Sequence, residues 1–229
     1  MEALLRWQHP EEGLLTPARF MDALEKTGLI VPVGEWILGA ACAQSKAWQD
    51  EGLPALMVSV NISPRQFRQD AFIETVANAL RQTGLNGGRL ELEFTEEVLQ
   101  EDEQRSIMVL NSLSKLGVKL TLDNFGSGMI SLKSLMKFPI HAIKIDRSLI
   151  QDANHGVSGA VIARAAIDVA RTFSIKSLAE GVETSEQLDT VRQIACDDAQ
   201  GYLYSQPLPP SVVTQLIREN HPLHKDVRH

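Results

Sequence analysis

A short apolar, β-prone run that closes on a carboxylate or an amide recurs along this chain. It occurs at Glu2 with Ala3-Leu4-Leu5, at Leu56-Met57-Val58-Ser59-Val60-Asn61, at Leu90-Glu91-Leu92-Glu93, at Val118-Lys119-Leu120-Thr121-Leu122-Asp123, at Ile143-Lys144-Ile145-Asp146 and at Leu178-Ala179-Glu180. Between these runs lie stretches with helical spacing of apolar residues. Strands that alternate with helices imply a parallel sheet, whose members are covered on both faces and so read as nearly unbroken apolar runs. Polar residues at successive strand ends imply a site to which many strands contribute at once, as at the mouth of a (β/α)8 barrel. A doubly wound dinucleotide fold fits less well, because Gly126-Ser127-Gly128 has no third glycine at the spacing such a fold needs.

The 229 residues approach the roughly 250 typical of one such barrel. One domain is expected over residues 1–220, followed by a polar tail at 221–229. A charged fraction of 22% against 44% hydrophobic residues fits a globular chain and excludes a disordered one. No apolar run reaches the roughly 18 to 20 residues of a membrane span, and no basic segment opens the chain as in a signal peptide. A net charge of -7 argues against binding a DNA or RNA duplex. Two isolated cysteines, Cys42 and Cys196, suit small buried contacts in a reducing cytoplasm better than a disulfide framework.

Local signals set the expected elements. Thr16-Pro17 opens a helix with Thr16 as N-cap and Gly28 as stop, and a second helix fills Gly34 to Gly52. Strands are expected at 56–60, 90–94, 118–122, 142–145 and 175–178. Helices are expected at 72–82, 106–116, 132–137 and 158–173, and Thr184-x-x-Gln187 is a capping box that opens a helix to Ile194.

Glu2, Asn61, Glu93 and Asp123 share the strand-end position, and three carboxylates with one amide form a hard-oxygen donor set. Such donors suit Mg²⁺ or Mn²⁺, and no His-x-x-x-His or paired-cysteine motif points to zinc or iron. Alternation along Ile143-Lys144-Ile145 turns Lys144 away from its neighbours' face, toward a barrel lumen or mouth. Arg6 suits an anion or a neighbouring carboxylate equally. Lys144 as the Schiff-base lysine of a metal-free barrel aldolase is the weaker alternative.

These residues stand in motifs that resemble the EAL-domain family of cyclic di-GMP-specific phosphodiesterases. The resemblance runs through Glu2-Ala3-Leu4-Leu5-Arg6-Trp7, Val60-Asn61-Ile62-Ser63, Glu93-Phe94-Thr95-Glu96, Asp123-Asn124-Phe125-Gly126-Ser127-Gly128, Lys144-Ile145-Asp146, Glu180-Gly181-Val182-Glu183 and Gln200-Gly201-Tyr202. It implies a modified (β/α)8 TIM-like barrel that hydrolyses cyclic di-GMP to linear pGpG with two divalent cations. It further implies that Glu2, Asn61, Glu93 and Asp123 ligate the first cation, with Asp123 bridging to a second supported by the next position, Asn124, and the region of Glu180. Lys144 matches a lysine that contacts the attacking water, Glu180 a metal- or water-orienting glutamate, Arg6 a phosphate-holding arginine and Gln200 a residue near the site. Glu96 matches a glutamate that holds the loop after Asp123; Asp146 and Glu183 are expected to support neighbouring turns. A homodimer is expected, and fusion to upstream sensory or GGDEF-type domains, in the cytoplasm or as the cytoplasmic part of a membrane-anchored protein.

The chain departs from that pattern in two places. Asn124 replaces the second acid of an Asp-Asp pair, so a weaker second cation and reduced turnover are expected. Met129, Ile130 and His141 also replace the usual types. The alternative is a degenerate receptor that binds cyclic di-GMP and signals to a partner. The family's upstream helix and first strand are expected to be lacking before Glu2, which would leave an open sheet edge.

Overall fold

The computed structural model describes residues 1–126, 130–155 and 157–219, and the side chains of these except 152–160. Ser127, Gly128 and Met129, and the tail at 221–229, lie outside the described residues. The chain packs as two compact units, Met1–Glu93 with Asn111–Lys119, and Phe94–Leu110 with Leu120 onward.

In the first unit, β1 (Glu2–Ala3) is followed by a hairpin of β2 (Trp7–His9) and β3 (Gly13–Leu15). A 3-10 turn at Pro17–Arg19 leads to α1 (Met21–Thr27) and α2 (Ile30–Asp50). Then come β4 (Val58–Asn61), α3 (Pro64–Phe67), α4 (Phe72–Thr83) and β5 (Leu90–Thr95). The helix expected from Thr16 is therefore broken: the Thr16 side chain makes no cap, and Phe20, buried against Trp7, interrupts the turn at φ -139°. α2 begins four residues ahead of Gly34, because Pro32 falls in the first turn, where amides lack partners anyway. α4 buries Phe72, Val76 and Ala79 at helical spacing and ends at Gly84 in the left-handed region. β1 and β4 are parallel, with Glu2 opposite Ser59; β4 and β5 are parallel, with Asn61 opposite Glu93.

The second unit opens with α5 (Glu96–Gln100), and α6 (Glu103–Lys115) begins in it. It continues through β6 (Lys119–Phe125), α7 (Leu132–Leu135), β7 (Ala142–Ile145), α8 (Arg147–His155), α9 (Val157–Thr172), β8 (Lys176–Ala179), α10 (Ser185–Gln193), β9 (Asp198–Ala199) and α11 (Pro210–Arg218). β6, β7, β8 and β9 pair in that order, all parallel. Every residue of β7 is buried, as the apolar run of a strand covered on both faces requires. The alternation of strands with helices yields an α/β fold, in which β1, β4 and β5 pair in parallel in the first unit and β6, β7, β8 and β9 pair in parallel in the second, β6 starting at Lys119, the last residue of the first.

Two differences bear on the site. β6 does not stop at Leu122 but runs through Asp123 and Asn124 to Phe125. Along it, Leu122 lies opposite Ile143 and Phe125 opposite Ile145, so Asp123 and Asn124 together face the single residue Lys144. That is a β-bulge, and Asn124 adopts φ 55° within it. Asparagine tolerates the left-handed region better than most side chains do.

Candidate active site

In the first unit the donor residues occupy adjacent strands. The Asn61 Nδ2 donates to Glu2 Oε1 at 2.7 Å. Glu93, directly across the ladder from Asn61, is 2% exposed. It lies within β5 and not at its end, since the strand continues to Thr95. Burying a carboxylate is costly unless a hydrogen bond or a cation compensates it. The Asn61 amide places a partly positive N–H beside Glu2, and a half-turn of that amide would offer its oxygen there instead. The two side chains thus fit either this hydrogen bond or a shared hard cation. Asn61 is held from behind by a capping box: Ser63 Oγ accepts from Gln66 N, and Gln66 Oε1 accepts from Ser63 N, each at 3.2 Å. Arg6 is not drawn toward these carboxylates, and its Nη1 donates to Leu5 O at 2.7 Å.

In the second unit the bulge turns Asp123 and Asn124 toward each other. Asp123 Oδ1 accepts from the Asn124 backbone N–H at 2.8 Å, and Oδ2 accepts from Asn124 Nδ2 at 3.4 Å. The amide supplies a weak donor where a second acid would have required a cation between two like charges. Lys144 is 2% exposed, and its Nζ lies 2.8 Å from Glu180 Oε1. The same oxygen accepts from Gln200 Nε2 at 2.6 Å. Glu180 thus has its carboxylate fixed by an ammonium from within β7 and an amide from just after β9.

Glu96, the first residue of α5, accepts from Gly126 N through Oε1 at 3.1 Å and from Ile130 N through Oε2 at 3.0 Å. Farther along, Glu103 accepts from Ser134 Oγ at 2.9 Å and from Lys137 Nζ, which anchors α7. Its pKa is lowered, mainly by the Lys137 hydrogen bond and then by Ser134. Asp146 Oδ1 accepts from Ser148 N at 2.8 Å and so caps the first turn of α8. Glu183 pairs with Arg147 at 3.4 Å and not with Lys144 or Gln200. Arg147 is a residue the sequence reading passed over; its signal was its place directly behind Lys144-Ile145-Asp146. Both cysteines are buried, and burial pushes each thiol up to about 11.

Each unit thus carries polar side chains on or just after parallel strands, Glu2, Asn61 and Glu93 in the first and Asp123, Lys144, Glu180 and Gln200 in the second. Residues 1–207 match the model of the EAL domain, and the chain belongs to the EAL domain family. It is 41% identical over 209 residues to the bifunctional diguanylate cyclase/cyclic di-GMP phosphodiesterase MucR of Pseudomonas aeruginosa, covering 91% of this chain and 30% of MucR. It is 34% identical over 209 residues to the cyclic di-GMP phosphodiesterase PdeR of Escherichia coli, covering 91% of this chain and 32% of PdeR. The solved MucR phosphodiesterase, in complex with c-di-GMP, superposes with a TM-score of 0.90 at 40% identity, covering 93% of this chain and 86% of that one. The FimX EAL domain of Xanthomonas citri in complex with c-diGMP gives 0.83 at 25% identity, covering 91% of this chain and 81% of that one. The chain spans about a quarter to a third of the length of the curated relatives it matches.

Proposed function

We propose that this chain hydrolyses one phosphodiester of cyclic di-GMP to linear pGpG, and that residues 1–220 form the catalytic domain as a modified (β/α)8 barrel. The observation that carries the reading is the chain Lys144–Glu180–Gln200 on the strand that faces the Asp123-Asn124 bulge and on its neighbours. Its setting is a fold that superposes on a phosphodiesterase solved with that dinucleotide.

In this reading Glu2, Asn61, Glu93 and Asp123 would hold one Mg²⁺ or Mn²⁺, and Asp123, Asn124 and the Glu180 region would offer a weaker second place. When bound, such cations acidify a water and spread the charge that grows on the phosphoryl oxygens. The residues do the rest. Glu180 orients the attacking water, whose oxygen bonds to phosphorus as the bond from phosphorus to the 3′ oxygen breaks. One proton leaves the water and one arrives on the 3′ oxygen, which leaves a 5′ phosphate on pGpG. Lys144 keeps the Glu180 carboxylate aimed at that water, and Gln200 fixes the same oxygen. Arg6 turns from Leu5 O to a phosphate oxygen. Glu96, Asp146 and Glu183 keep the surrounding turns in place.

Asn124 favours a second reading, a receptor that holds cyclic di-GMP and turns it over slowly or not at all. An amide ligates a divalent cation without contributing charge. We further propose a homodimer in the cytoplasm, or the cytoplasmic part of a membrane-anchored protein, fused to sensory or GGDEF-type domains in a longer chain. Among the described residues no helix is long and apolar enough to cross a membrane.

The test follows conversion of cyclic di-GMP to pGpG with Mg²⁺, Mn²⁺ or EDTA, in this chain and in Asn124→Asp. Slow, Mn²⁺-favoured turnover that rises by about tenfold or more in Asn124→Asp is expected. Asn124→Asp should also gain more thermal stability from Mn²⁺ than the parent does, because the added charge needs a cation. No product from either protein, alongside tight binding in EDTA, would overturn the enzyme reading.

A further inference from the structure

The turn Glu180-Gly181-Val182-Glu183 carries the carboxylate that Lys144 and Gln200 hold. Three backbone ties fix it: Glu180 N donates to Ile145 O at 3.3 Å, Val182 N to Gln200 O at 3.0 Å, and Leu203 N to Val182 O at 3.0 Å. Gly181, between the first two, adopts φ 66°, a conformation that L side chains rarely take. The Arg147 side chain lies over its bare Cα. A Cβ built there would lie 2.8 to 3.0 Å from Cδ, Cγ and Cβ of Arg147.

Arg147 reaches past this glycine in a defined direction. Its Nη1 lies 3.4 Å from Glu183 Oε1. With the Gln151 amide turned so that its oxygen faces the guanidinium, that oxygen accepts from Arg147 Nε at 3.0 Å and from Nη2 at 3.3 Å. The base of the same helix turn is set by Asp146 Oδ1, which accepts from Ser148 N. One residue after the Lys144-Ile145-Asp146 run, a side chain braced on its own helix thus lies across the turn that presents Glu180. The Arg147–Glu183 pair is solvent-exposed on both sides, at 59% and 38%, and such pairs add little to global stability. Its geometry is better matched to holding a turn than to holding a fold.

We propose that Arg147 is a positioning residue for the hydrolysis: its stem on Gly181 and its guanidinium on Glu183 hold the 180–183 turn so that the Glu180 carboxylate stays beside Lys144. The role rests on the phosphodiesterase reading above for its effect on turnover, but not for its effect on the turn. Arg147 acts through Glu180, so its loss slows the chemical step without weakening substrate binding. Lysine keeps the stem and the charge but loses the two donors to Gln151, and so retains part of the function.

The experiment compares the full chain with Arg147→Ala, Arg147→Lys and the charge exchange Arg147→Glu with Glu183→Arg. Steady-state hydrolysis with Mn²⁺ is measured, and amide hydrogen exchange is followed at Glu180 and Val182 and at β4 as reference. In Arg147→Ala, kcat falls by about tenfold with KM within about twofold, and exchange at Glu180 and Val182 speeds up while β4 is unchanged. Arg147→Lys recovers part of kcat, and the charge exchange recovers more than either of its single changes. Unchanged exchange at Glu180 and Val182 in Arg147→Ala overturns the proposal, as does a loss carried wholly by KM or a kcat within about twofold of the parent. If the parent chain makes no pGpG, the phosphodiesterase reading fails. The exchange data then decide alone, faster exchange upholding the hold on the turn and unchanged exchange overturning it.

Discussion

At the scale of single residues, the site turns on a lysine that strand alternation aims inward. Lys144 sits between Ile143 and Ile145 on a strand whose every residue is buried, so its ammonium needs a partner. Glu180 Oε1 at 2.8 Å is one, and the pair is expected to behave as a buried ion pair: removing one member strands the other. Lys144→Met keeps the length of the stem and should cost about 3 kcal/mol in urea unfolding, because Glu180 keeps only its neutral donors. Adding Glu180→Gln to it should restore most of that loss, since an amide in place of the carboxylate leaves no unpaired charge. Both variants should lose turnover by at least about 10²-fold. A double variant no more stable than Lys144→Met would mean that the two groups are not coupled. Lys144 and Glu180 could be named from the chain because each ends or lies in a short strand run. That one residue faces two could not be foreseen, since a bulge is a relation of register between β6 and β7 and leaves no mark on either strand alone.

At the scale of elements, what could be read depended on whether the signal was local. Thr184-x-x-Gln187 was legible as a capping box, and Gln187 Oε1 accepts from Thr184 N at 3.1 Å while Thr184 Oγ1 accepts from Gln187 N at 3.2 Å. Ser63 and Gln66 repeat that arrangement one turn after Asn61, but α3 is only four residues long and carries no apolar period to reveal it. The β2–β3 hairpin escaped for a related reason: its turn is closed by His9 Nδ1, which accepts from Glu11 N and Glu12 N, and not by an Asn-Gly or Gly-x pair. The small capping helix beyond Asn61 depends on α2, because a Cβ at Gly34 would lie 1.8 to 2.6 Å from the Gln66 amide. Gln66 is 5% exposed and bonded on both sides of its cap, so it has nowhere to swing. Gly34→Ala should therefore destabilise by about 1 to 3 kcal/mol, although alanine is the better helix former. It should also weaken Mn²⁺ binding by shifting Asn61. Gly39→Ala is the control in the same helix, since nothing lies within 4 Å of its Cβ and the gain should be about 0.5 to 1 kcal/mol. Melting curves of both variants settle the pair; equal shifts would mean that helix propensity alone is at work.

At the scale of the molecule, the alternation of buried strands and helices made the α/β class legible, because parallel strands leave no polar face to disguise. Which residues fall at strand ends was less so, since that depends on how far each strand runs, and β5 continues past Glu93 and β6 past Asp123. The charge of the chain is also a whole-molecule property, and it opposes the proposed ligand. Cyclic di-GMP carries two phosphodiester charges and approaches a chain of net charge -7. In the proposed reading the carboxylates of each unit, Glu2 and Glu93 in the first and Asp123 and Glu180 in the second, would add negative potential that bound cations neutralise. In EDTA, association should therefore be slowed by like-charge repulsion, and salt should relieve it. Raising NaCl from about 20 to about 200 mM, which shortens the Debye length from about 20 Å to below 10 Å, should raise the association rate of a fluorescent cyclic di-GMP analogue by about two- to fivefold. Saturating Mg²⁺ should shrink that dependence, because the cations already cancel the nearest charges. An association rate that falls with salt in EDTA would mean that basic side chains govern the approach and outweigh the net negative charge.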